Sequence, residues 1–195
     1  MTTQAERRAA TVTAILASAQ ALFASRGFEA VSMDDIAEGA AVAKGAIYHY
    51  FESKDAIFTR VLEQMQEALL VATDPPGAEG DDLADQIARG VENYLLAAGA
   101  PAVRRIVLID GPAVIGWRRW REIDDQYFGA NARNATAALL GPSAAPEEID
   151  ALTHLLMGAI LEAAMVCAAA DDVATTAKQL SQALRRLLKG LLAVS

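Results

Sequence analysis

The sequence predicts an all-α protein: an N-terminal three-helix helix-turn-helix domain and a larger C-terminal helical bundle, about nine helices in total. Three observations carry this. Ala and Leu are abundant, and alternating β-branched runs are absent. Apolar residues recur at three- and four-residue spacing. Proline and glycine fall at the ends of the periodic segments, not inside them.

Val12, Ile15, Leu16, Ala19, Leu22 and Phe23 mark a first helix, which "SRGF" ends with Gly27 suited to the left-handed C-terminal position. Ser32 opens a short second helix, and Asp35, three residues on, completes a capping box. "GAAVAKG" interrupts it, a third short helix covers 44–51, and Ser53 caps a fourth that runs to residue 72. "TDPPGAEGDD" (73–82), dense in Pro, Gly and acid, is the expected domain boundary. Beyond it the pattern places helices at 82–98, 101–110, 117–140, 146–170 and 172–192. Pro101 and Pro146 suit first-turn positions, where a missing N–H costs nothing.

A chain of 195 residues, 53% of them hydrophobic, can bury a substantial core. The longest apolar stretch, 155–170, is short and holds Glu162, so a buried helix is expected there and not a membrane span. The start, "MTTQAERRAA", lacks the apolar core of a secretory signal. A single cysteine, Cys167, excludes an internal disulfide and most thiolate metal cages. A cytoplasmic protein is expected. The net charge of −8 is unevenly spread. Residues 1–60 carry six Lys/Arg against seven Asp/Glu, so the acidity belongs to the C-terminal two-thirds.

The stretch "GAIYHYFESKDAIF" (45–58) is the most informative. Ile47 and Phe51 share one helical face and point inward, while Lys44 and Tyr48 share the opposite side, with Gly45 and His49 beside them. A lysine, a glycine that lets the backbone come close, a phenol and an imidazole form a strip that can meet phosphate oxygens or base edges. Lys54 lies in the first turn of the next helix, whose free N–H groups favour an anion, and Ser32 is similarly placed. Two short helices joined by a tight turn and braced by longer ones form a helix-turn-helix, whose second short helix enters the major groove.

The segment "SMDDIAEGAAVAKGAIYHYFESKDAIF" (32–58) resembles the DNA-binding segment of the tetracycline-repressor (TetR) family, and the similarity covers about residues 10–60. The resemblance implies a dimeric, all-helical, ligand-responsive transcription regulator. By position it implies phosphate contacts from Ser32, Tyr48 and Lys54, and base or nearby backbone contacts from Lys44, Gly45, Ala46 and His49. Three residues depart from the family pattern. Ala41 stands at the turn glycine, Ala43 at the serine before the lysine, and Ala46 where threonine is common, so base readout is expected to be sparse and apolar.

After residue 75 the resemblance fades, although "IDGPAVIGWRRWREIDDQYFGANARN" (109–134) resembles the effector domain of one subset of the family. Trp117, Trp120, Arg121, Asp124 and Phe128 fall on one helical side with Tyr127 at its edge, which suits a ligand-pocket wall. Met157, Leu161 and Met165 are candidate facing residues. The competing reading makes the tryptophans and methionines core, with Arg121 and Asp124 paired at the surface. His154 and Glu162 lack partners at metal-ligand spacing, so no metal or cofactor is expected and His154 reads as buried and hydrogen-bonded. The small-residue helix at 146–170 and the leucine-striped helix at 172–192 are the expected homodimer interface, two from each chain.

The predicted function is a DNA-binding transcriptional regulator: a repressor released from a palindromic operator by a small, largely apolar effector. A helical-bundle enzyme or carrier would need a nucleophile–base pair or a metal set, and His49, His154 and Cys167 offer neither. An orphan dimeric regulator without an effector is the other alternative.

Overall fold

The structure is a computed structural model, and it describes residues 3–73 and 82–192. Apart from Thr73 and Asp82, the expected boundary stretch lies outside the described residues. The helices are α1 (Gln4–Arg26), α2 (Met33–Gly39), α3 (Lys54–Ala72), α4 (Leu83–Ala98), α5 (Pro101–Val103), α6 (Gly111–Ile115), α7 (Trp117–Asp124), α8 (Ala130–Leu140), α9 (Pro146–Ala169) and α10 (Val173–Leu192). π-helical segments at Arg104–Asp110 and Asp125–Gly129 join α5 to α6 and α7 to α8. The described residues contain no strand. They fall into two compact units, Met1–Gln66 with Pro101–Trp120, and Glu67–Ala100 with Arg121–Ser195. Residues 101–120 thus group with the N-terminal segment and not with the C-terminal bundle.

In the first unit, Thr3 and Glu6 form a capping box at the start of α1, and the Gly27 N–H closes its end on the Phe23 carbonyl at 2.8 Å. Phe23, Phe28 and Phe58 meet as a triangle with ring centroids 5.0–5.7 Å apart. Ile15, Ile36, Ile47 and Val61 complete the core around them. The Ser32–Asp35 capping box opens α2 as expected. After α2 the chain reverses through Ala41, whose φ of 54° lies in the left-handed region. That conformation strains an L-residue with a Cβ. Ala41→Gly is therefore expected to raise stability by about 1 kcal/mol, strain relief exceeding the extra freedom of the unfolded chain. A denaturant unfolding curve checks it, and a clear loss of stability would show that the turn is not strained.

The helix expected at 44–51 is only a 3₁₀ turn at Ile47–His49, preceded by turns at 44–46. Its bonds are short-range, Ala46 N–H to Ala43 O at 2.8 Å and His49 N–H to Ala46 O at 3.1 Å. No side chain caps it, and a segment this short gains too few bonds to offset helix nucleation. The predicted facing holds for Ile47, which is fully buried, and for Lys44, Tyr48 and His49, which are exposed, whereas Phe51, expected to point inward with Ile47, is only half-buried.

In the second unit, α4 buries Ala84, Ala88, Val91 and Leu95. Its acidic start is tied to the end of α10: Asp85 bonds Arg185, and Lys189 Nζ stands 2.9 Å from Asp82. The helix expected at 117–140 is split by the π segment, which adds a residue to a turn and rotates everything after it. The α9 helix corrects two expectations. It was expected to be buried, yet Leu155 is 71% exposed and Met165 and Val166 are exposed as well. It is long enough, and over its most apolar 18-residue window (mean hydropathy 1.7) apolar enough, to cross a membrane by length and composition only. Its apolar residues divide between the core, through Met157, Ala164 and Cys167, and this outward face. His154 is hydrogen-bonded as expected, Nδ1 lying 2.7 Å from the Asp150 carbonyl, but it is exposed, because its position falls on that outward face.

Candidate DNA interface and ligand cavity

The outward strip of the first unit is built by a turn that turns Ile47 inward. Lys44, Gly45, Tyr48 and His49 are exposed, Tyr48 to 55%, and Ala46 is half-buried. A Cβ added at Gly45 would meet nothing within 4 Å. The glycine is therefore not required by the packing of this chain.

Lys44 and Lys54 are held differently. Lys44 Nζ pairs with Asp34 at 2.8 Å with both side chains well exposed, and the hydrogen bond to Asp34 raises the lysine above its ordinary range. With both partners exposed, the pair is worth little and holds Lys44 only loosely. Lys54 Nζ instead donates to the Phe28 carbonyl at 2.8 Å and stands 4.0 Å from the Phe28 ring centroid. Two of its three N–H groups remain for another acceptor. Ser32 Oγ donates to Asp35 Oδ2 at 2.6 Å and accepts from the Asp35 N–H, so its hydrogen is committed within the capping box. Those bonds from Ser32 hold the Asp35 carboxyl below its usual range.

A cavity of about 890 Å³ lies within the second unit. Leu70 and Val71 of α3, Ile87 and Val91 of α4, Ala132 and Ala135 of α8, and Met157, Ile160 and Leu161 of α9 form its apolar lining. Gln86, Arg89, Tyr94, Asp124 and Asn131 are the main polar groups. Tyr94 packs edge-on against Phe128 at 5.6 Å, and burial, reinforced by Asp124 and partly offset by Arg121, pushes its phenol well above the ordinary value. It stays a neutral hydrogen-bonding group. Asp124 is buried and joined to Arg121 at 3.0 Å, so its charge is compensated inside the wall.

The expected wall is thus only partly assembled. Asp124, Phe128, Met157 and Leu161 line the cavity, whereas Trp117, Trp120, Arg121, Tyr127 and Met165 are not among its lining. Trp120 is 1% exposed in the core of the first unit, where its indole N–H donates to the Val107 carbonyl at 2.8 Å. Trp117 is 58% exposed and stacks on Trp120 at 5.3 Å. Arg121 pairs with Asp124 and Asp125, and Met165 turns outward on α9. Trp117 and Trp120 stand ahead of the π segment at Asp125–Gly129 and belong to the first unit, so a shared side of the helical wheel does not make them part of the cavity that Asp124 and Phe128 line. The sequence reading missed Gln86, Arg89, Val91 and Tyr94 on α4. The available signal was a lone tyrosine on an amphipathic helix with polar Gln86 and Arg89 one turn apart. Among the described residues no three His, Cys, Asp or Glu gather into a group able to hold a metal ion.

A helix-turn-helix head with an exposed basic and aromatic turn, and a second helical unit with a partly open, largely apolar cavity, define a helix-turn-helix transcriptional regulator. The family model for bacterial regulatory proteins of the tetR family matches residues 15–61, and that for tetracyclin repressor-like C-terminal domains matches residues 84–191. The chain belongs to the TetR family of DNA-binding transcriptional regulators. It is 28% identical over 189 residues to the HTH-type transcriptional regulator UidR of Escherichia coli K12, covering 95% of this chain and 94% of UidR. A TetR-family regulator from Pectobacterium atrosepticum is 30% identical, with 97% of each chain covered and a TM-score of 0.70. RolR, solved with resorcinol, shares the fold at 20% identity and a TM-score of 0.67, over 98% of this chain and 95% of RolR.

Proposed function

We propose that the protein is a homodimeric repressor that holds a palindromic operator through residues 44–49 and is released by a small, largely apolar effector. TetR-family regulators bind operator DNA and act as dimers with small-molecule ligands. One observation carries the DNA half of the reading: Lys44, Gly45, Tyr48 and His49 face outward together on a turn anchored by buried Ile47. Tyr48 and Lys54 take phosphate oxygens, while Lys44, Gly45, Ala46 and His49 face bases or the adjacent backbone. Ser32 contributes chiefly by fixing the start of α2, since its hydroxyl hydrogen already serves Asp35.

The outward apolar face of α9, with Leu155, Met165 and Val166, and Leu187 of α10 supports a four-helix interface with a second copy. A two-fold dimer presents two reading turns at about the 34 Å repeat of successive major grooves. The cavity, apolar with a few polar groups on its wall, supports the effector half of the reading. The α3 helix gives residues 54–66 to the first unit and 67–72 to the second, so a ligand that repositions its end biases the turn at its start.

Selection of bound duplexes from a random pool tests the reading. Recovery of an inverted repeat supports it, and recovery of no preferred sequence refutes it. Gly45→Ala sharpens the result. With open space around its Cβ, alanine leaves the folded chain intact, but it stands between the backbone and DNA. The variant is expected to keep its melting temperature and to lose about tenfold in operator affinity, comparable to one direct contact. Unchanged affinity would place Gly45 away from DNA.

A further inference from the structure

We infer that Asp110 is a positioning residue for DNA binding, fixing the ammonium of Lys54 through the backbone of Phe28. The inference rests on the phosphate role proposed for Lys54. Lys54 is located twice by Phe28, through the carbonyl at 2.8 Å and through the ring at 4.0 Å. The N–H of that same Phe28 donates to Asp110 Oδ2 at 2.9 Å, in a buried bond. Arg105 Nε donates to the Asp110 carboxylate at 3.1 Å, and its guanidinium covers Gly27, where an added Cβ would stand 1.9 Å from Nη2. All of these residues belong to the first unit. The series Arg105, Asp110, Phe28, Lys54 is therefore continuous from the π segment to the DNA face.

The π segment explains how the pair forms. Residues five apart on an α-helix point about 140° away from each other. Here the Gly111 N–H reaches back five residues to the Ile106 carbonyl, and the wider turn brings Arg105 beneath Asp110. The carboxylate can then accept from Arg105 and from the Phe28 N–H at once.

The consequence concerns ordering. A free lysine side chain must be immobilised when it meets a phosphate, whereas Lys54 is already held with two N–H groups available. Removing the Asp110 carboxylate leaves the buried Phe28 N–H without its acceptor and frees the turn whose carbonyl and ring hold the ammonium. Operator affinity is then set in part by a residue that does not touch DNA.

The test is a double-mutant cycle on the operator duplex recovered by random-pool selection, with the full-length dimer. Asp110→Ala and Arg105→Gln are each made in the native and the Lys54→Ala backgrounds. In the native background Asp110→Ala is expected to weaken binding about tenfold and to lower the salt slope by about one unit, as loss of one phosphate contact would. In the Lys54→Ala background it is expected to cost less than about twofold. Arg105→Gln, at a half-exposed site, should show the same background dependence, and it decides the matter if Asp110→Ala does not fold. Equal weakening in both backgrounds would reduce Asp110 to support of the fold, and no weakening would overturn the inference outright. If Lys54→Ala alone leaves affinity unchanged, the phosphate role of Lys54 falls and this inference with it. If Lys54→Ala weakens binding and Asp110→Ala does not, only the inference falls.

Discussion

Trp120→Ala is expected to destabilise the N-terminal unit by about 3–5 kcal/mol, the scale for emptying a fully buried aromatic site. The indole is 1% exposed, and its N–H satisfies the Val107 carbonyl at 2.8 Å. Its Cδ1 lies where a Cβ on Gly111 would come within 2.7 Å, so the ring rests directly on the backbone. Alanine leaves a void and an unsatisfied carbonyl together. For a chain of this length the melting temperature should fall by roughly 6–20 °C. DNA binding should be lost with it, because the same unit carries the helix-turn-helix. Trp117→Ala provides the contrast. It removes the outer, mostly exposed member of the stack, and the expected cost is about 0.5–1.5 kcal/mol. Thermal unfolding followed by circular dichroism measures both variants. A Trp120→Ala protein within about 1 kcal/mol of the parent would remove Trp120 from the core.

The contrast between the two tryptophans marks the limit of what the sequence disclosed. Helix existence and most boundaries were readable from local chemistry: the Ser32–Asp35 capping box, Pro101 and Pro146 at first turns, and the 3.6-residue stripe of α1. Each depends on residues within about one turn of each other. The exposed strip was readable for the same reason, since Ile47 in and Lys44 and Tyr48 out is a local alternation. The cavity wall was not. Its residues come from α3, α4, α7, α8 and α9, and no periodicity within one helix reports which face of another it meets. Trp117 and Trp120 share a wheel side with Asp124 and Phe128 but belong to the first unit, a division that no helical wheel reports. The roles of Arg105 and Asp110 were hidden likewise, because five-residue spacing places two side chains together only where the helix widens.

Filling the cavity is expected to disconnect the effector from the operator. A screen of neutral small molecules that are aromatic or largely apolar, with resorcinol, the ligand of RolR, among them, should return a compound that binds in the 890 Å³ space. At about 100 times its Kd such a ligand should add about 2.7 kcal/mol to stability, visible as a rise in melting temperature. It should weaken operator binding by about 5- to 150-fold, and DNA should weaken its binding by the same factor, because coupling is reciprocal. Ala135 lines the cavity on α8, and Ala135→Trp places a bulky ring in that space. The variant should still bind operator, yet show neither the thermal shift nor the release. Trp117→Ala, whose side chain lies outside the lining, should keep both. The cavity assignment fails if Ala135→Trp retains the full ligand response, or if Trp117→Ala abolishes it. In the second case the exposed face of Trp117 would be the effector site, and the polar groups of α4 would have no ligand to orient.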